Sequence, residues 1–303
     1  VILLRGGDQS DMEIRVLRYF LEVAREGNIT KAAAFLHISQ PTLSRQLKEL
    51  EEELGKKLFV RSNYSVKLTD KGMLLRKRAE DILDMVDKTT DEFKSLNEIT
   101  GGDIWIGCAE SENFKYFVLA AKALKAQYPN IRYHLYSSAT DSVTERLERG
   151  LLDFAIIVQS VDLSKYNYLS VPTNDTWGVL MRKSDPLAAK ERICPNDLMG
   201  LPLICSRQSL TEEMPKWLGD NLEKLNIIAT YDLLFNASVM AREGFGYVLG
   251  FSDLIYTGKE SSLCFRPLEP SVESPMHIIW KKYQVFSPVA SLFLEEMQKQ
   301  FQP

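Results

Sequence analysis

HISQPTLSRQLKEL, residues 37–50, decides how the N-terminal third of this chain folds. Leu43, Leu47, Leu50 and then Leu54 recur at helical spacing, so one face of the segment is apolar and turned inward. Ser39 is placed to cap the free N–H groups at the start of that helix. Pro41 falls in its first turn, where a missing N–H costs nothing and a fixed φ helps. Gln40, Pro41, Thr42, Ser44, Arg45 and Lys48 are left at the start and on the outer side. Gln and Arg are the side chains that make paired hydrogen bonds to adenine and guanine edges in a major groove. A solvated helix face is the plain alternative, and the neighbouring segments argue against it.

Upstream, Ile14, Leu17, Tyr19, Phe20 and Val23 predict a first helix that closes near Gly27. Thr30 is expected to cap a second, alanine-rich helix through Leu36. Only His37-Ile38-Ser39 separate it from the third, the mark of a helix-turn-helix. Downstream, KLFVRSNYSVKLT (57–69) alternates like two short strands around SNYS, which makes a wing. Residues 12–72 hold eleven Lys/Arg against eight Asp/Glu, while the whole chain carries a net charge of −4. A basic module ahead of an acidic remainder fits a nucleic-acid reader on a solubilising body.

From the expected cap Thr69, Leu75, Ala79, Ile82, Val86, Thr89, Phe93 and Leu96 fall at alternating steps of four and three. That is a heptad seam, predicting a linker helix over 70–100 that Gly101-Gly102 ends. The seam either pairs two chains or packs on the body; a two-chain connector fits paired readers with fixed half-site spacing. Beyond it, strands and helices alternate: DIWIGC, FKYFVLAAKALKAQY, IRYHLY, SVTERLERG and DFAIIV, then WGVLM, LPLIC, a helix around 212–225, IIATYDL, a helix near Ala237–Arg242, YVLGF, HIIWKK and SPVASLFLEEMQKQF. Such a pattern predicts an α/β body in two lobes.

Composition narrows the field. The chain has 303 residues, 45% hydrophobic and 26% charged, which is ordinary for a globular protein. No apolar run is long enough to span a membrane, and VILLRGGDQSD (1–11) is too short for a signal peptide. That segment, ahead of Met12, is expected to be an added or disordered extension. Cys108, Cys194, Cys205 and Cys264 form no C-x-x-C pair, as expected of reduced thiols in a cytoplasmic protein. His37, His134 and His277 make no metal-binding pattern, and neither a metal nor a cofactor is expected.

ITKAAAFLHISQPTLSRQLKELEEELGKKLFVRSNYSVKLTDKG resembles the DNA-binding signature of LysR-type transcriptional regulators. The matches are Ala33, Ala34, Leu36 with one displaced step, Ser39-Gln40-Pro41, Gln46, Leu50-Glu51, Leu54-Gly55, Leu58-Phe59, Arg61, Leu68-Thr69 and Gly72. Looser similarity runs through LERGLLDFAIIV, EGFGYVLGF and the last strand–helix pair. The resemblance implies an N-terminal winged helix-turn-helix over 12–69, a long dimerising linker helix over 70–100, and a two-lobed effector-binding domain like periplasmic solute binders over 101–303. Lobe I would take about 101–166 and 268–303, lobe II about 167–267. It also implies a homodimer or homotetramer on double-stranded promoter DNA, with RNA polymerase as a candidate further partner. Carried over residue by residue, Ser39, Gln40, Pro41, Thr42, Ser44 and Arg45 would sit at bases or adjacent phosphates, Thr30 and Lys48 on phosphates, and Arg61 in the wing.

By the same analogy a small-molecule effector lies between the lobes. CAESENF (108–114) runs from strand to helix, so Ser111 could hold an anionic group there. Ser138 and Thr140 in SSATDS, and Ser206 in SRQS, offer the same chemistry. Arg207 could pair with a carboxylate, and Asn236 is a further candidate. Each Ser or Thr has a plain alternative as a helix cap. Glu110 and Glu112 crowd the first of these helix starts, so an amino acid fits as well as a dicarboxylate.

Three other functions compete with this one. An enzyme is disfavoured, because GFGYVLG (244–250) runs from helix to strand, the reverse of a phosphate-cradling loop. A solute-binding protein would need export. A thiol-redox regulator using Cys194 and Cys205 competes with the reading of buried, inert thiols.

Overall fold

The computed structural model describes residues 12–61, 65–94, 101–158, 161–211 and 213–301. They fall into two compact units that divide between Thr90 and Asp91. Residues 1–11 and Leu96 lie outside the described residues.

The first unit contains α1 (Ile14–Glu26), α2 (Ile29–Phe35), α3 (Gln40–Glu53), β1 (Phe59–Arg61), β2 (Val66–Leu68) and most of α4 (Asp70–Lys94). Gly27 ends α1 in the left-handed region at φ 60, its N–H bonded to the Val23 carbonyl, as its position predicts. Its own carbonyl accepts the Val66 amide at 2.8 Å, tying α1 to the wing. The expected cap of α2 is corrected: Asn28, not Thr30, accepts the Lys31 amide at 3.0 Å, and Thr30 lies inside the first turn. Asn and Thr both cap well, and the helix simply starts earlier. Ser39 caps α3 through the Thr42 amide, with Pro41 in the first turn. Leu43, Leu47 and Leu50 are buried, while Leu54 closes the helix half-buried.

These side chains meet Leu17, Phe20 and Val23 of α1, Ala32 and Ala33 of α2, and Leu58 and Phe59 at the wing. Ala79 and Leu83 of α4 are buried in the same core, with Leu75 and Ile82 packed against it. The front half of the expected dimer seam is therefore spent within its own chain. Thr69 starts α4, its hydroxyl oxygen accepting the Gly72 amide at 3.0 Å. A Cβ on Gly72 would stand 2.1 Å from the Leu58 carbonyl oxygen, so only glycine lets α4 approach the wing this closely.

The second unit is built on β3 (Gly101–Cys108), α5 (Lys115–Gln127), β4 (Asn130–Ser137), α6 (Thr140–Glu148), β5 (Phe154–Ile157), β6 (Tyr166–Arg182), β7 (Pro202–Ser206), α7 (Glu213–Leu218), β8 (Asn226–Tyr231), α8 (Leu234–Arg242), β9 (Tyr247–Phe251), β10 (Leu263–Pro267), β11 (Glu273–Lys281) and α9 (Pro288–Phe301). Gly101-Gly102, expected to end the linker, instead open β3. The strands follow the order β4-β3-β5-β11-β6-β9-β7-β8, with β10 beside β6. β6 makes two lobes of one path by changing partners. Up to Thr176 it pairs with β11, from Trp177 onward with β9, and from Gly178 with β10 as well. The crossing thus lies at Trp177, not at the expected boundary of 166/167.

Each lobe has its own core. Ile104, Ile106, Phe154, Ile156, Ile278 and Phe293 fill lobe I, and Val179, Met181, Leu203, Cys205 and Leu249 fill lobe II. In lobe I, β3 runs parallel to β4 and β5; in lobe II, β7 runs parallel to β8 and β9. The carboxyl ends of these parallel strands are where a doubly wound sheet leaves room for a ligand.

Candidate functional site

Two surfaces carry the chemistry. The first is the start of α3, where Ser39, Gln40, Pro41, Thr42, Arg45 and Lys48 are exposed and Ser44 is half-buried. The Ser39 and Thr42 hydroxyls are 2.7 Å apart, fixing the first turn. Arg45, 70% exposed, stands 3.8 Å from Glu49, and Lys48 stands 3.3 Å from Glu52. Exposed pairs of this kind are worth under about 1 kcal/mol, so both cations can exchange a carboxylate for a phosphate at little cost. The connection into α3 is tight because His37 takes φ 54, while the His37 and Ile38 amides bond to the Ala34 and Ala33 carbonyls.

The wing is fixed from α3 itself. Glu51, 4% exposed, accepts the Leu58 amide at 2.8 Å and the Phe59 amide at 3.2 Å, and pairs with Lys57 at 3.1 Å. Burial pushes this carboxyl up, but the two amides and Lys57 outweigh it and hold it below its ordinary value. β1 and β2 pair antiparallel from Phe59↔Leu68 to Arg61↔Val66. The Arg61 side chain and residues 62–64 at the wing's tip lie outside the described residues.

The second surface is a small cleft, about 50 Å³, at the strand ends and lined from both lobes. Of the residues nominated from sequence, Ser138, Thr140 and Ser206 line it. Ser111 does not. It is buried, accepts the Asn113 amide at 2.9 Å, and its hydroxyl lies 2.7–2.8 Å from both Asp175 carboxylate oxygens. Burial pushes the Asp175 carboxyl up, with Ser111 and Asn113 opposing. Arg207 also lies outside the lining; it is 70% exposed and 3.7 Å from Asp232. Asn236 is exposed on α8 and outside the lining as well.

Glu110, Trp177, Gln208, Tyr231, Asp232 and Phe251 were not nominated, yet they complete the walls. Tyr231 and Phe251 end β8 and β9, so the rule about strand carboxyl ends could have found them. Side-chain hydrogen bonds cross the cleft from lobe to lobe. Glu110 Oε2 accepts the Leu234 amide at 2.5 Å, at the start of α8, and Gln208 Oε1 accepts the Thr140 amide at 3.3 Å, at the start of α6.

Among the described residues, no group of three His, Cys, Asp or Glu is placed to hold a metal. Cys194 is exposed, but Cys205 is fully buried in lobe II and its thiol is pushed up to about 12 by burial. Such a thiol is a poor nucleophile at neutral pH. No helix of the described residues is long and apolar enough to cross a membrane.

Two family models match the chain. "Bacterial regulatory helix-turn-helix protein, lysR family" covers residues 14–73, and "LysR substrate binding domain" covers 99–302. The chain is 26% identical to the HTH-type transcriptional regulator YbhD of Escherichia coli (strain K12), over 93% of this chain and 89% of that protein. It is 27% identical to the Hca operon transcriptional activator HcaR of the same organism, over 89% and 92%. The crystal structure of CbnR, a LysR family transcriptional regulator, shares the fold with a TM-score of 0.73 at 19% identity, over 96% of this chain and all of that one. CbnR also has a structure in complex with its target DNA, which matches with a TM-score of 0.73 at 20% identity over 95% and 100%.

Proposed function

Because the chain belongs to the LysR family of transcriptional regulators, with a DNA-binding helix-turn-helix and an effector-binding domain, we propose that it reads promoter DNA with the start of α3. Gln40, Pro41, Thr42, Ser44 and Arg45 face base edges or adjacent phosphates. Ser39 holds the first turn, Thr30 and Lys48 meet phosphates, and Arg61 reaches from the wing. The observation that carries this reading is the exposed first turn of α3 above a buried leucine face, with the wing held to the same helix by Glu51. A small molecule bound in the cleft between the lobes changes how the protein engages DNA.

The protein acts as a homodimer or homotetramer in the cytoplasm, with RNA polymerase as a further partner, and it is not an enzyme. Pairing of two chains uses the later part of α4, through Val86 and Phe93, since Leu75, Ala79 and Ile82 are engaged within the chain. Mobility shifts on the DNA upstream of its own gene test the reading. Binding that survives Gln40→Ala and Arg45→Ala unchanged would remove α3 as the reader.

A further inference from the structure

We propose that the cleft takes an organic amine, cationic at neutral pH and carried on an aromatic or apolar body, in place of a carboxylate. The inference rests on the reading of this cleft as the effector site. Among the described residues that line it there is no Lys, Arg or His, while Glu110 and Asp232 both face it. Arg207 stands outside the lining, against Asp232.

The first amide at each of two helix starts that could anchor an anion is already taken. The starts of α6 and α8 face the cleft, and helix starts favour negative charge. Glu110, however, occupies the first amide of α8, and Gln208 the first amide of α6. A carboxylate ligand would have to displace Glu110 and then remain in the cleft with it and with Asp232. An ammonium gains from both carboxylates instead. Glu110 spends only Oε2 on Leu234, and its Oε1 accepts no hydrogen bond from any described residue.

The rest of the wall fits the body of such a ligand. Trp177, Tyr231 and Phe251 line the cleft, with the Trp177 and Phe251 rings 4.4 Å apart. Aromatic faces attract cations as well as rings. Thr140 supplies an independent sign of a ligand. It is 1% exposed, lines the cleft, and its hydroxyl has no hydrogen-bond partner. Native proteins rarely leave such a group unsatisfied. A polar substituent on the ligand, near Ser138 and Ser206, would satisfy it.

The test uses triplets that share a body and differ in the charge and kind of their head group. They are 2-phenylethylamine, 3-phenylpropanoate and 3-phenylpropanamide, with the corresponding sets on indole and hexyl bodies. Each is titrated into the full-length protein by calorimetry, with Glu110→Gln, Asp232→Asn and the cleft-filling Ser138→Trp alongside. The expected result is an amine at least about tenfold tighter than its acid. That advantage should fall about tenfold in Glu110→Gln, which keeps the acceptor but loses the charge. Asp232→Asn, at an exposed position, gives a second reading if Glu110→Gln fails to fold. An acid that binds more tightly than its amine and is lost in Ser138→Trp overturns the amine while leaving the cleft as the effector site. Binding indifferent to Ser138→Trp overturns the effector reading along with it, and no binding by any of the three amines overturns the proposal.

Discussion

At Arg45 a single side chain decides between a solvated helix and a reader. Its guanidinium is exposed, bound only loosely to Glu49, and supports none of the leucine core. Arg45→Ala should therefore weaken binding to the specific site by about 1–3 kcal/mol and leave the melting temperature unchanged, as titration and calorimetry would measure. Glu51 has the opposite profile, being structural and charged. Its folded value lies below the ordinary 4.5, so its contribution is fully present above about pH 4.5 and is lost as pH falls through the depressed value. Melting of the N-terminal unit should weaken below that pH, and Glu51→Gln should flatten the dependence while costing about 1–3 kcal/mol at neutral pH. His37 holds a left-handed conformation that disfavours a side chain. His37→Gly should raise stability by up to about 1 kcal/mol in chemical unfolding.

Among the elements, α4 serves two purposes that one heptad pattern cannot separate. Leu75, Ala79 and Ile82 share the core of their own unit, whereas Phe93 remains 68% exposed. Ala79→Asp should unfold the N-terminal unit, seen as loss of its melting transition. Phe93→Asp should leave that transition intact and lower the mass measured by light scattering. An unchanged mass would mean that the later part of α4 pairs no chains.

The same contrast explains what the sequence made legible. α3 could be read because its cap, proline and leucines all act locally. Most of the α/β body followed from apolar runs bounded by turns. The first half of β6, YNYLSVPTNDT, is polar and holds Pro172, so it gives no strand signal, although β11 pairs with it inside lobe I. β10, LCFRP, is not among the expected strands. The cleft was only half legible. Ser138, Thr140 and Ser206 belong to local strand-to-helix motifs. Glu110 and Gln208 matter through partners far away in sequence, and Arg207 turns outward to Asp232.

For the whole molecule, the two units divide the work: one carries the DNA-binding helix-turn-helix, the other the effector-binding domain. On the proposed reading, a ligand would act on the bonds of Glu110 to Leu234 and Gln208 to Thr140 that join the lobes. A ligand shifts such an equilibrium only by its differential affinity for the two arrangements. The central claim, that α3 reads a defined promoter site, is tested most directly by footprinting on the DNA upstream of its own gene, with wild type and the Gln40→Ala, Arg45→Ala double variant side by side. The account predicts a bounded protected region for the wild type and its loss in the equally folded variant. Equal protection by both proteins would contradict it.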